Sequence, residues 1–190
     1  VGYGAIFETA RILEAMRLDL AREKYLTFNP GLILGGNNIR YENNESKGVA
    51  FGPENIIAKD VVVQGDLRYL TVKQKKNAEK RIVNSLRKNL FGTNAVINFE
   101  DEIPSMAPTK ANLDLLKKYS EVSRKLNYGA VKAFDPGLRG ASDISYVASI
   151  VSASLAGLGP IGEFTHTQNE ILLINSLPRQ TQKAAFLIYN

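Results

Sequence analysis

His166 is the only histidine among the 190 residues, and it sits in Gly157-Leu-Gly-Pro-Ile-Gly-Glu-Phe-Thr-His166-Thr-Gln-Asn-Glu170. A neutral imidazole suits zinc near pH 7. A glycine-rich approach that delivers one imidazole between Glu163 and Glu170 therefore points to a metal loop. Spacing alone leaves the plain alternative open, a surface or core histidine with no ligand role. One imidazole does not make a zinc site, which takes about three or four protein ligands. The chain has no cysteine, so disulfides, thiolate zinc sites and cysteine nucleophiles are excluded.

A second cluster is basic. The net charge is +5, and the surplus collects between Thr71 and Phe91, where Lys73, Lys75, Lys76, Lys80, Arg81, Arg87 and Lys88 face the single acid Glu79. On helical spacing, Ala78, Ile82, Leu86 and Leu90 form an apolar stripe and the cations a solvated face. No aromatic side chains alternate with those cations to stack bases, so nucleic acid is not an expected partner. No run of about 18 apolar residues occurs, so nothing spans a membrane and none is expected as a partner.

The elements that must position these residues follow from periodicity. Gly4 to Leu20 reads as an amphipathic helix with Ile6, Ala10 and Leu13 inward and Ile12 and Met16 beside them. Pro30 to Gly36 reads as a short strand, and Asn37 to Glu54 as a loop or ragged hairpin. Val61, Val63, Gly65 and Leu67 alternate with polar neighbours in a strand within Asn55 to Leu70. The basic helix follows, then a strand over Ala95 to Phe99. Helix, strand, strand, helix, strand is βαββαβ without its first strand, a ferredoxin-like sandwich. The chain opens Val-Gly-Tyr-Gly with no methionine or visible signal peptide, and it is expected to be a fragment.

The pattern changes at Pro104-Ser-Met-Ala-Pro108, which places a boundary between residues 1–104 and 105–190. Beyond it the expected elements are a helix over Asn112 to Leu126 with Leu113, Leu116, Tyr119 and Val122/Ser123 on one side, a strand over Ala130 to Phe134 and a helix over Asp143 to Val151 capped by Ser142 or Asp143. A strand-like Ser152 to Leu158 follows, then a helix over Ser176 to Tyr189 with Leu177, Ala184, Leu187 and Ile188 inward. Alternating helix and strand is the signature of α/β layering, here as part of a larger sheet. The whole is α+β.

Six stretches together resemble one superfamily: Asn29-Pro-Gly-Leu-Ile-Leu-Gly-Gly36, Asn55-Ile-Ile-Ala58, Gly65-Asp-Leu-Arg68, Met106-Ala-Pro-Thr109, Gly140-Ala-Ser-Asp143, and Gly157-Leu-Gly159 with His166-Thr-Gln-Asn-Glu170. These are similar to the co-catalytic zinc exopeptidases that include glutamate carboxypeptidase, aminoacylase and succinyl-diaminopimelate desuccinylase, nearest to bacterial members of the glutamate carboxypeptidase type. The resemblance implies that 1–104 is an N-terminally truncated lid and dimerisation domain. It makes 105–190 the C-terminal segment of the α/β zinc domain.

The implied chemistry is hydrolysis of a peptide or N-acyl amino acid bond, with an acidic C-terminal residue, by water held between two zincs. His166 would be a zinc ligand. Asn55 and Arg68 would reach the substrate, Arg68 through a fork that can grip a carboxylate. Ala141 and Ser142 would line the substrate, although a helix cap explains Ser142 equally well. No catalytic residue is implied within this stretch, and alone it is expected to be inactive. Ala58 stands where the family has a proline, Ala141 where it has a glycine, and Glu163-Phe164-Thr165 where it is richer in glycine. The implied partners are a small peptide or N-acyl amino acid and a second copy of the chain. The resemblance favours a bacterial periplasmic or secreted setting, while the residues leave the compartment open. The rival reading is a non-catalytic dimerisation or interaction module that pairs through a strand edge.

Overall fold

A computed structural model describes residues 2–138, 140–165 and 167–189. The fold is mixed α+β, with four helices and small antiparallel sheets among the described residues. It divides into two compact units, Val1–Asp101 and Glu102–Asn190.

The first unit opens with α1 (Gly4–Leu20), followed by β1 (Thr27–Gly36). A hairpin of β2 (Asn38–Glu42) and β3 (Lys47–Phe51) then leads to β4 (Asp60–Arg68) and α2 (Val72–Ser85). β1 and β4 pair antiparallel from Thr27 opposite Arg68 to Gly36 opposite Asp60, with a bulge at Gly31 between Pro30 and Leu32. Gly65 is required where it stands, because a Cβ there would lie 2.4 Å from the Asn29 carbonyl oxygen.

The core lies between the helices and the inner sheet face. Ile12, Met16 and Leu20 of α1 meet Leu26 and Ala78 and Ile82 of α2, with Phe28 and Leu67 of the sheet packed against them. The expected basic-helix stripe is therefore present at Ala78 and Ile82. On α1 the buried line is Glu8, Ile12, Met16 and Leu20, an i, i+4 row; Ile6 and Ala10 are exposed rather than inward. An acid heads that row because its charge is satisfied. Glu8 is 2% exposed, accepts from Arg11 Nη2 at 2.5 Å and accepts from the Leu90 backbone N–H at 2.8 Å. Arg11 in turn donates to the Ser85 carbonyl at 3.0 Å, so one ion pair ties α1 to the end of α2. The Arg11 hydrogen bond holds the Glu8 carboxyl below its ordinary pKa, against the opposing effect of burial.

Residues 95–99 do not form the expected strand in a ladder. Ala95 and Ile97 pack against the core, while Val96 and Asn98 face out. No backbone–backbone hydrogen bond among the described residues engages them. The alternation was legible; the neighbouring strand was not there to pair with.

The second unit is built on α3 (Lys110–Lys125) and α4 (Ser176–Tyr189). Thr109 caps α3, its Oγ1 accepting from the Asn112 N–H at 3.1 Å, as the side-chain capping rule requires. The expected strands at 130–134 and 152–158 are unpaired segments. One amide in each bonds to a side chain instead: Val131 N–H donates to Ser120 Oγ at 3.0 Å, and Ser154 N–H to Asn112 Oδ1 at 2.9 Å. The expected helix over 143–151 shortens to a 3-10 turn, Asp143–Tyr146. On α4, Leu177 and Ile188 are exposed rather than inward, and the buried positions are Ser176 and Lys183.

Candidate functional site

His166 lies outside the described residues, but its loop is framed on both sides. β5 (Gly162–Glu163) pairs with β6 (Ile171–Leu172) antiparallel. Ser176 anchors the base of this hairpin to the start of α4: its Oγ accepts from Ile161 N–H at 2.9 Å and donates to the Leu173 carbonyl at 2.6 Å. At the tip, Thr167 Oγ1 donates to the Phe164 carbonyl at 2.7 Å and accepts from Asn169 N–H at 3.2 Å. Phe164 adopts φ +56°, the left-handed region that β-carbons disfavour, and so turns the chain sharply. Glu163, Phe164, Thr165 and residues 167–170 are all exposed. The hairpin went unpredicted because its strands are two residues each, too short for periodicity to register.

Ser142 stands at the N-cap of the Asp143–Tyr146 turn, yet its side chain makes no capping hydrogen bond. The contact that would have explained it as a cap is absent among the described residues, and the side chain is half-buried. Ala141 is exposed beside it, and a Cβ at Gly140 would meet nothing within 4 Å. The 140–142 turn is open.

In the first unit, Asn55 and Arg68 are not brought together. Asn55 is exposed in the turn closed by Ile56 N–H donating to the Pro53 carbonyl. That turn adjoins the Gly36 end of the sheet, where Asn37 Nδ2 donates to the Ile57 carbonyl at 3.0 Å and Lys59 N–H to the Gly36 carbonyl. Arg68 ends β4 at the other extreme, and a nine-residue strand spans roughly 26 Å at about 3.3 Å per step. Arg68 Nε donates to Asp66 Oδ2 at 2.6 Å. The two residues share the outer sheet face, and the side chain is 72% exposed. This contact engages Nε, the edge of the fork nearest the chain.

On α3 the side expected to face inward is buried at Tyr119, Val122 and Ser123, while Leu113 on the same side is exposed; the burial of Lys183 on α4 was not expected from the sequence. Ser123 is fully buried and its Oγ has no hydrogen-bond partner. Lys183 is 9% exposed and lies 5.2 Å from the Tyr119 ring centroid. Tyr119 donates to Gln180 Oε1 at 3.3 Å. Burial, helped by the positive charge of Arg179, lowers the Lys183 pKa, and burial raises that of Tyr119. The spacing that would have found Lys183 is its position seven residues, two helical turns, after the buried Ser176 on α4.

The zinc expectation needs several ligands within reach of one point. Among the described residues no three His, Asp or Glu side chains come together in that way. These residues do not by themselves furnish a zinc set. Compared with family models, characterised proteins and solved structures, the chain matches none.

Proposed function

We propose that this chain is the lid and the C-terminal catalytic-domain segment of a zinc-dependent exopeptidase of the glutamate carboxypeptidase type. The parent enzyme hydrolyses a peptide or N-acyl amino acid bond with an acidic C-terminal residue, and these 190 residues alone are inactive. The motif order carries the chemical part of the reading. His166 supplies one zinc ligand; Asn55 and Arg68, at opposite ends of β4, serve as substrate contacts from different protomers of a lid-paired dimer; and Ala141 and Ser142 are the substrate contacts of the catalytic domain. Further ligands come from polypeptide outside these 190 residues.

One observation above all supports the reading of an incomplete assembly. Among the described residues of the second unit, only Tyr119 and Val122 are buried apolar side chains, whereas Ile150 is 80%, Ile174 72% and Ile188 86% exposed. A folded domain does not leave that much large apolar surface in water without a partner to cover it. The first unit agrees in a different way. β4 pairs with β1 alone, and 95–99 packs on the same core with an unpaired backbone. A strand seated between them would complete βαββαβ and satisfy both rows of amides. Homodimerisation through this lid belongs to the same proposal.

The test compares the protein isolated from its source under protease inhibition with the 190-residue chain. The proposal expects a heavier native species with about two zincs per chain that cleaves an N-acyl glutamate, and no cleavage by the short chain. A native species of 190-residue mass, free of zinc and inert toward acyl amino acids, would refute it.

A further inference from the structure

The cations of the first unit are unequally paired, and the inequality defines a surface. Lys75 bonds to Glu79 and Asp101, and Arg81 to Asp19 and Glu23 at 2.8 and 2.5 Å. At about 100° per residue Lys75 lies near the line of the buried Ile82 and Arg81 on one flank of α2, and the two use up the neighbouring acids. Lys73, Lys76 and Lys80, with Arg87 and Lys88 just past the helix end, are exposed and form no ion pair among the described residues. At about 100° per residue, Lys73 and Lys80 lie within roughly 20° of each other and opposite the buried Ile82, with Lys76 about 60° away. Lys73, Lys76 and Lys80 therefore project as one ridge away from the core, with Arg87 and Lys88 exposed just beyond its end.

We propose that this ridge docks the first unit onto an anionic phospholipid surface. No helix among the described residues is long and apolar enough to cross a membrane, and surface attachment needs no span. Four of the five cations are lysines, point charges that attract phosphate headgroups without demanding a fixed geometry. They stand on a convex helix with no aromatic side chains among them, so no groove or stacking platform for nucleic acid is formed. Val72 is 57% and Phe91 75% exposed at the two ends of the ridge, where apolar side chains can enter the headgroup boundary. Each lysine near an anionic leaflet adds to the attraction, and the attraction falls with ionic strength.

The test is co-sedimentation of the whole chain with vesicles of about one-third phosphatidylglycerol in phosphatidylcholine, against pure phosphatidylcholine, at about 0.05 M and 0.3 M salt. The expected result is binding to the anionic vesicles only, lost at the higher salt. Lys73→Gln with Lys80→Gln should weaken it about 30-fold. Lys117→Gln with Lys118→Gln, the same charge loss on α3, should leave it nearly intact, which separates the ridge from net charge. Equal binding to neutral vesicles, equal loss in both double variants, or binding to duplex DNA with none to vesicles would each overturn the proposal.

Discussion

The two units bury different kinds of side chain, although both expose large apolar residues, Phe51 at 69% and Val96 at 81% in the first and Ile150 at 80% and Ile188 at 86% in the second. In the first, two helices close over a pair of strands, and Ile12, Met16, Leu20, Ala78 and Ile82 are shut away from water. In the second, α3 and α4 meet through polar and aromatic contacts: Tyr119 with Gln180 and Lys183, and Tyr128 with Gln182 and Arg179. There serines and a lysine are buried while isoleucines stand in solvent. The contrast teaches that a unit can be compact without owning a core. The first unit closes a small apolar core; the second, among its described residues, buries only Tyr119 and Val122 as apolar side chains.

The sharpest way to break that comparison is to truncate one isoleucine in each unit. Ile82→Ala should cost about 3 kcal/mol in the first unit, whereas Ile174→Ala should change stability by less than about 0.5 kcal/mol, both read by denaturant unfolding. A large loss at Ile174 would mean that the second unit has a core of its own. Next in size is Glu8→Gln, which weakens the bonds to Arg11 and the Leu90 amide and should cost about 2 kcal/mol. The pH dependence sharpens this. Because Arg11 lowers the folded pKa of Glu8, the pair stabilises fully above the ordinary carboxylate range and is lost as pH falls through the lowered value. Wild-type unfolding midpoints should therefore drop on acidification more steeply than those of the variant.

Smaller effects come from the second unit. Lys183 is a buried cation with no carboxylate among its described partners, so Lys183→Met should be neutral or stabilising by up to about 1 kcal/mol. Thermal melts would check the sign, and a clear loss would show that its contact with Tyr119 outweighs the cost of burial. Ile174→Lys with Ile188→Lys should leave the melting curve unchanged while reducing binding of an apolar dye. Unchanged dye binding would locate the exposed apolar surface elsewhere.

Periodicity made α1, α2, α3 and α4 legible, because each carries a helical stripe or a capping residue such as Thr109 that acts locally. The strands were legible as patterns but not as pairings. Ala95 to Phe99 alternates as a strand should, yet whether it joins a ladder depends on a neighbour that no local pattern records. For 130–134 and 152–158, Ser120 and Asn112 take up amides that a sheet would otherwise have bonded. Glu8 was illegible for a related reason: its burial depends on Arg11 and on Leu90, 82 positions away in the chain. On the candidate site, the motifs named Asn55 and Arg68 together, and the strand between them holds them at opposite ends. The missing cap bond at Ser142 could only be learned from geometry.

The most direct test of the central claim is amide hydrogen exchange of the whole chain, resolved by segment. The account predicts slow exchange over residues 8–20 and 74–85, where amides are bonded above a closed core, and fast exchange over 110–125 and 176–189 despite their helical form. Equal protection in both pairs of helices would contradict it, because the second unit would then be a domain complete in itself.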